Sequence, residues 1–194
     1  MNYWTKNPES PIINSGLSYE AASQRLQLKS LLLEEQKGFC AYSERHIIET
    51  DAHEIEHFDP NLKHTPKDNY HNWYAVGRWF NMYKPKKLDE RFLPILLPHD
   101  ETTKQRIIYE VGIFKTVETD DIKAKNLIDF LGLNKIELCN DRNNHIEALK
   151  NLRQLCGDDE LFIQQFKLFR QNLSFITAIE HEFDISLQHI INQF

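Results

Sequence analysis

The residues best equipped for chemistry in this 194-residue chain lie close together: Glu56-His57, then Asn72, then Asn81 followed by Lys84. Hydrolysing a phosphodiester needs a deprotonated water, an electrophile on the phosphate and stabilisation of the leaving oxygen. A histidine with a pKa near neutrality can supply the first. A hard divalent cation held by oxygen ligands can supply the other two. Glu56 offers such a cation a carboxylate, and Asn81 offers an amide carbonyl that acid does not remove. Two protein ligands leave most of the coordination sphere to water and substrate phosphate. That suits Mg²⁺ or Mn²⁺ better than structural Zn²⁺. In an extended backbone His57 leaves on the face opposite Glu56. A bend at Phe58-Asp59-Pro60 or a local twist is therefore expected to turn both toward one site.

These residues need elements to hold them. His53 to Phe58 reads as a short strand, broken by Asp59-Pro60-Asn61. Arg45 to Ile48 reads as a second strand, and the two are expected to form a hairpin across Glu49-Thr50-Asp51. Val76, Trp79, Phe80 and Tyr83 recur at three- and four-residue steps, which predicts a helix from Asn72 to Tyr83, capped by Asn72 and ended by Pro85. Upstream, Tyr3, Trp4, Ile12 and Ile13 are expected to pin an irregular arm to the body. A leucine-rich helix capped by Ser18 is expected to run to Gln36. Downstream, Arg106 to Lys115 reads as two strands or an extended turn-back about Gly112. Helices follow from Asp120 or Asp121 to Leu131, from Asn134 to Cys156, and from Asp158 toward Phe194; Gly132 and Gly157 close the first two. Phe162, Phe166, Phe169, Leu173, Ile176 and Ile179 keep helical spacing and read as core. The fold class is α+β, mostly α-helical, in a single domain over 1–194 with a helical C-terminal part over 118–194 that is the expected partner-docking surface.

Composition bounds the function. Apolar residues make up 41% of the chain, enough for an ordinary core. Cys40, Cys139 and Cys156 are far apart, which argues against a disulfide framework. No apolar run nears membrane length and no signal region opens the chain, so a soluble cytoplasmic protein without a membrane partner is expected. The net charge is −6, but Lys63 to Arg91 holds seven basic and three acidic residues. Arg78, Lys84, Lys86 and Lys87 in that segment are the expected nucleic-acid contacts. His46, His53, His64, His71 and His99 are scattered, and none is assigned as a ligand.

The order Glu56-His57, Asn72, Asn81-x-x-Lys84 resembles the HNH endonuclease superfamily and its ββα-metal site. That resemblance implies a core over 38–88 with His57 as general base, Glu56 and Asn81 as metal ligands, Asn72 tying the loop and orienting His57, and Lys84 near the phosphate backbone. Gln36-Lys37-Gly38-Phe39-Cys40-Ala41-Tyr42, Ile55 to Pro60, and Ile128-Asp129-Phe130-Leu131-Gly132-Leu133-Asn134 with Arg142 resemble more closely the PtuB-like HNH proteins of Septu and retron anti-phage systems. Those act beside an ABC-type ATPase, PtuA, so such a partner and a DNA or RNA substrate are implied. Many of these relatives carry two C-x-x-C pairs that bind a structural zinc. Here the four positions are Cys40, Ser43, Gly77 and Phe80, so no structural zinc is expected, and Phe39, Trp79 and Phe80 are expected to form an apolar cluster instead. Glu also stands where Asp is commoner before the histidine. Two readings follow: a metal-dependent nuclease that is the effector of a defence complex, or a catalytically degenerate HNH-like module that binds protein or nucleic acid.

Overall fold

The structure, a computed structural model, describes residues Thr5–Phe194. Tyr3 and Trp4 lie outside the described residues. Ile12, the buried anchor of the arm, sits in the short helix α1 (Pro11–Asn14), while Ile13 remains exposed. The first long helix is shorter than expected. A 3₁₀ turn over Ala22–Gln24 leads into α2 (Arg25–Glu35), and the Ser18 hydroxyl accepts from Glu20 N rather than capping the helix. Leu28 and Leu32 are its buried face.

Two expectations near the site are corrected. Strand β1 (His53–His57) does not pair with 45–48. It pairs antiparallel with β2 (Trp73–Gly77), placing Glu56 opposite Tyr74 and His57 opposite Trp73. The stretch expected as one helix is therefore β2 followed by α3 (Arg78–Tyr83). The reason is burial on both faces. Trp73, Tyr74, Ala75 and Val76 are all buried, packed between α2 and the main core, and such a run fits a strand better than one stripe of a helix. Val76 only happened to fall in step with Trp79 and Phe80. Asn72 accordingly caps no helix.

The outer edge of β2 is closed by a side chain. Gln36 donates to Ala75 O at 2.7 Å and accepts from Ala75 N at 2.8 Å, as a neighbouring strand would. Residues 39–46 fold into a tight knuckle instead of a strand. Phe39 bridges His46, Cys40 N donates to Arg45 O at 2.8 Å, and Glu44 takes a left-handed conformation.

The remainder follows the sequence closely. After α4 (Thr103–Arg106), β3 (Ile107–Glu110) and β4 (Ile113–Thr116) form the hairpin about Gly112. Helix α5 (Ile122–Leu131) is capped by the Asp121 carboxylate and closed by left-handed Gly132. Helix α6 (Ile136–Cys156) starts two residues later than expected, because Asn134 spends its amide on both backbone groups of Phe114, at 2.8 Å each. Then come α7 (Asp159–Leu168), α8 (Ile176–Phe183) and α9 (Gln188–Ile191). Phe162, Phe166, Leu173, Ile176 and Ile179 are core, whereas Phe169 lies at the end of α7 and is exposed. One apolar cluster joins the knuckle, β2, α3 and the C-terminal helices. The class is α+β with two small antiparallel sheets. Among the described residues no helix is long and apolar enough to cross a membrane.

Candidate active site

Strand β1, strand β2 and helix α3 follow one another, and the candidate residues sit on them. A cavity of about 650 Å³ opens along β1. Glu54, Glu56 and His57 line it from the strand and Asn81 from α3; Tyr19, Arg25 and Lys29 form the facing wall. All five residues of β1 border this space, and β1 has a free edge because its sheet has two strands. Lys63, Arg78 and Lys86 complete a cationic rim. Arg78, Lys86 and Lys87 are exposed, and Lys87 lies outside the cavity lining.

His57 is buried. Its Nε2 lies 3.0 Å from Asp68 Oδ2, and the edge of Tyr19 stands against its ring at 4.4 Å between centroids. Burial, helped by the positive charge of Lys63, depresses its pKa to about 4, although Asp68 pulls the other way. The imidazole is therefore neutral at pH 7, with an unprotonated nitrogen, and is a weaker base than an imidazole near neutrality. Asn72 stands behind it. Its Oδ1 accepts from Asp59 N at 2.8 Å, and its Nδ2 donates to Asp59 O at 3.1 Å and Asp68 Oδ1 at 2.9 Å. Asn72 O also accepts from Phe58 N at 2.8 Å. Asn72 thus bonds Phe58 and Asp59 at the start of the loop and Asp68 near its end, and it reaches His57 only through Asp68.

Glu56 is buried with one oxygen 2.9 Å from Lys84 Nζ. Burial raises its pKa even though Lys84 opposes the shift, and burial likewise lowers that of Lys84. Lys84 also donates to Phe58 O at 3.1 Å and lies over the Phe130 ring. Its ammonium thus points inward, only 4% of the residue is exposed, and it is not presented to a backbone outside. Asn81 does not contact Glu56 directly. Its amide nitrogen donates to Glu54, and Lys86 donates to its backbone oxygen. Burial works against ionisation of Glu54, but Asn81 and Arg78 outweigh it and hold the carboxyl below its usual range.

Sequence reasoning missed Glu54 and Asp68. For Glu54 a signal existed: two residues before Glu56 in a strand, it shares that residue's face. For Asp68 there was none, since a loop sets its position. Glu54, Glu56 and the Asn81 amide place oxygen atoms on one cavity, the kind of donor a hard cation takes. Those oxygens face Arg78, Lys84 and Lys86, and among the described residues no group of three His, Cys, Asp or Glu is placed to hold a metal ion. Apart from this site, Cys40, Ser43, Gly77 and Phe80 line one cavity of about 240 Å³, where Phe80 packs edge-on to Tyr42 and Trp79.

Compared with protein-family models and with curated proteins, the chain matches none.

Proposed function

We propose that this chain is a divalent-metal-dependent endonuclease of the HNH type. The observation that carries the reading is one cavity onto which Glu56, His57 and Asn81 all open, inside a rim of five basic residues. The element order is a second support: β1, β2 and α3 run strand, strand, helix, the order a ββα-metal site has. A third is the knuckle, where the four positions that carry zinc thiols in similar proteins line one cavity although three of the thiols are absent.

Glu56 and Asn81, with Glu54 beside them, are the groups that would hold Mg²⁺ or Mn²⁺. Such an ion, when bound, supplies charge stabilisation at the phosphate and at the leaving oxygen. His57 takes the proton of the attacking water. Arg25, Lys29, Lys63, Arg78 and Lys86 bind the polyanionic backbone of DNA or RNA and set its position over His57. The resemblance to PtuB-like proteins extends the proposal to an ABC-type ATPase partner and a role in anti-phage defence.

The test is cleavage of plasmid DNA and of RNA with Mg²⁺ or Mn²⁺, with and without an ABC-type ATPase. Wild type is expected to cut and His57→Ala to lose about 10²-fold or more. Equal rates for the two proteins rule out the proposed base.

A non-catalytic HNH-like binding module is the second reading. Its support is that Lys84 already neutralises Glu56 while Arg78 and Asn81 already satisfy Glu54. It predicts nucleic-acid binding unaffected by chelators and by Asn81→Ala.

A further inference from the structure

We propose that Asp68 is the positioning residue of this site: its carboxylate holds the imidazole proton of His57 on Nε2 and leaves Nδ1 bare as the proton acceptor. What the bare nitrogen then does rests on the nuclease reading; the pairing stands on geometry alone. Asp68 lies in the loop between β1 and β2, and its side chain is 3% exposed, that of His57 5%. The two facing atoms are 3.0 Å apart without meeting full hydrogen-bond geometry, and among the described residues neither makes a hydrogen bond to any other group. The other oxygen of Asp68 accepts from Asn72 Nδ2 at 2.9 Å and from Trp73 Nε1 at 2.8 Å.

Those two donors fix the plane of the carboxylate. Asn72 is fixed in turn by both backbone groups of Asp59, and Trp73 begins β2. An ionised carboxylate only accepts hydrogen bonds, so the ring nitrogen facing it must carry the hydrogen. The edge of Tyr19 completes the slot that orients the ring. With Nε2 committed, the lone pair of Nδ1 is what His57 offers to the cavity. In the reaction an O–H bond of water breaks, its proton passes to Nδ1, and the electron pair stays on the attacking oxygen. The imidazolium so formed is stabilised by Asp68 across the Nε2–H bond.

The experiment reads the tautomer directly. In protein labelled with ¹⁵N-histidine, long-range ¹H–¹⁵N correlations at neutral pH separate the protonated from the bare ring nitrogen, and His57→Gln assigns the resonance. Wild type is expected to carry the proton on Nε2. Asp68→Asn can keep accepting from Asn72 and Trp73 while turning an N–H donor toward the ring, and is expected to move the proton to Nδ1. A wild-type proton on Nδ1, or no change in Asp68→Asn, overturns the proposal. Should the variant not fold, the wild-type pattern decides alone. In cleavage assays Asp68→Asn is expected to lower kcat by about 10²-fold or more with KM within about twofold; an unchanged kcat also overturns it. A wild type that cuts nothing removes the nuclease reading, and the nitrogen spectra still decide the pairing.

Discussion

Lys84 shows how far a residue's role can depart from its type. In a basic segment it reads as a phosphate contact, yet its ammonium is buried between Glu56, the Phe58 carbonyl and the Phe130 ring. Removing one partner of a buried ion pair strands the other without compensation. Lys84→Met is therefore expected to cost about 3 kcal/mol in urea unfolding. Lys87→Met, on the surface, should stay within about 0.5 kcal/mol. Similar losses in the two variants would show that the Glu56–Lys84 pair carries no weight. Residue types could nominate Glu56, His57, Asn72 and Asn81, since each has a property the chemistry requires. They could not reveal that Asn81 engages Glu54, or that Asp68 backs His57 from a loop. Those facts depend on how the segment between β1 and β2 closes, and no local period encodes that.

Elements decide which residues reach one cavity. Helix α2 contributes Arg25 and Lys29 to the wall facing β1, so on the proposed reading a nucleic-acid substrate would lie between the helix and the strand edge. Replacing both with Gln is expected to weaken nucleic-acid binding without sequence preference and to reduce the salt-dependence slope by about 2. An unchanged slope would place the backbone elsewhere. A second element-level prediction concerns α5. Asp121 caps it by accepting from Ala124 N at 3.0 Å and grips Arg106 through both oxygens. The Arg106 hydrogen bonds lead in drawing its pKa down to about 2, against burial. Because the folded-state value is depressed, this stabilisation is complete above the unfolded carboxyl range, about pH 4, and is lost as pH falls toward 2. Asp121→Ala should lose about 1 kcal/mol at pH 7 from the cap alone, and its deficit should shrink in acid; an equal deficit at both pH values would contradict this account. Elements were legible where local signals agreed: cap, closing glycine and periodicity at α5, and the turn glycine at the β3–β4 hairpin. They were not legible at 72–77, where burial on both faces of β2 erased the alternation that marks a strand. The partner of β1 was a long-range choice, and the nearer candidate lost to it.

At the scale of the molecule, the apolar cluster links the knuckle, the strands beside the site and the C-terminal helices. Leu187, Ile190 and Ile191 are buried in it, so removing α9 would unfold the core rather than expose a docking face. One cluster of this kind predicts one cooperative transition in which far-UV and near-UV signals coincide. Phe166→Ala, far from the cavity in sequence, should lower stability by about 3–5 kcal/mol without splitting that transition. Two separated transitions would mean that the site region folds independently of the C-terminal helices. What the cavity holds is open to direct measurement. Titration with Mn²⁺ followed by electron paramagnetic resonance is predicted to show one bound ion, retained in His57→Ala and lost in both Glu56→Ala and Asn81→Ala. Binding that survives both ligand replacements, or no bound ion in the wild type, would contradict the account.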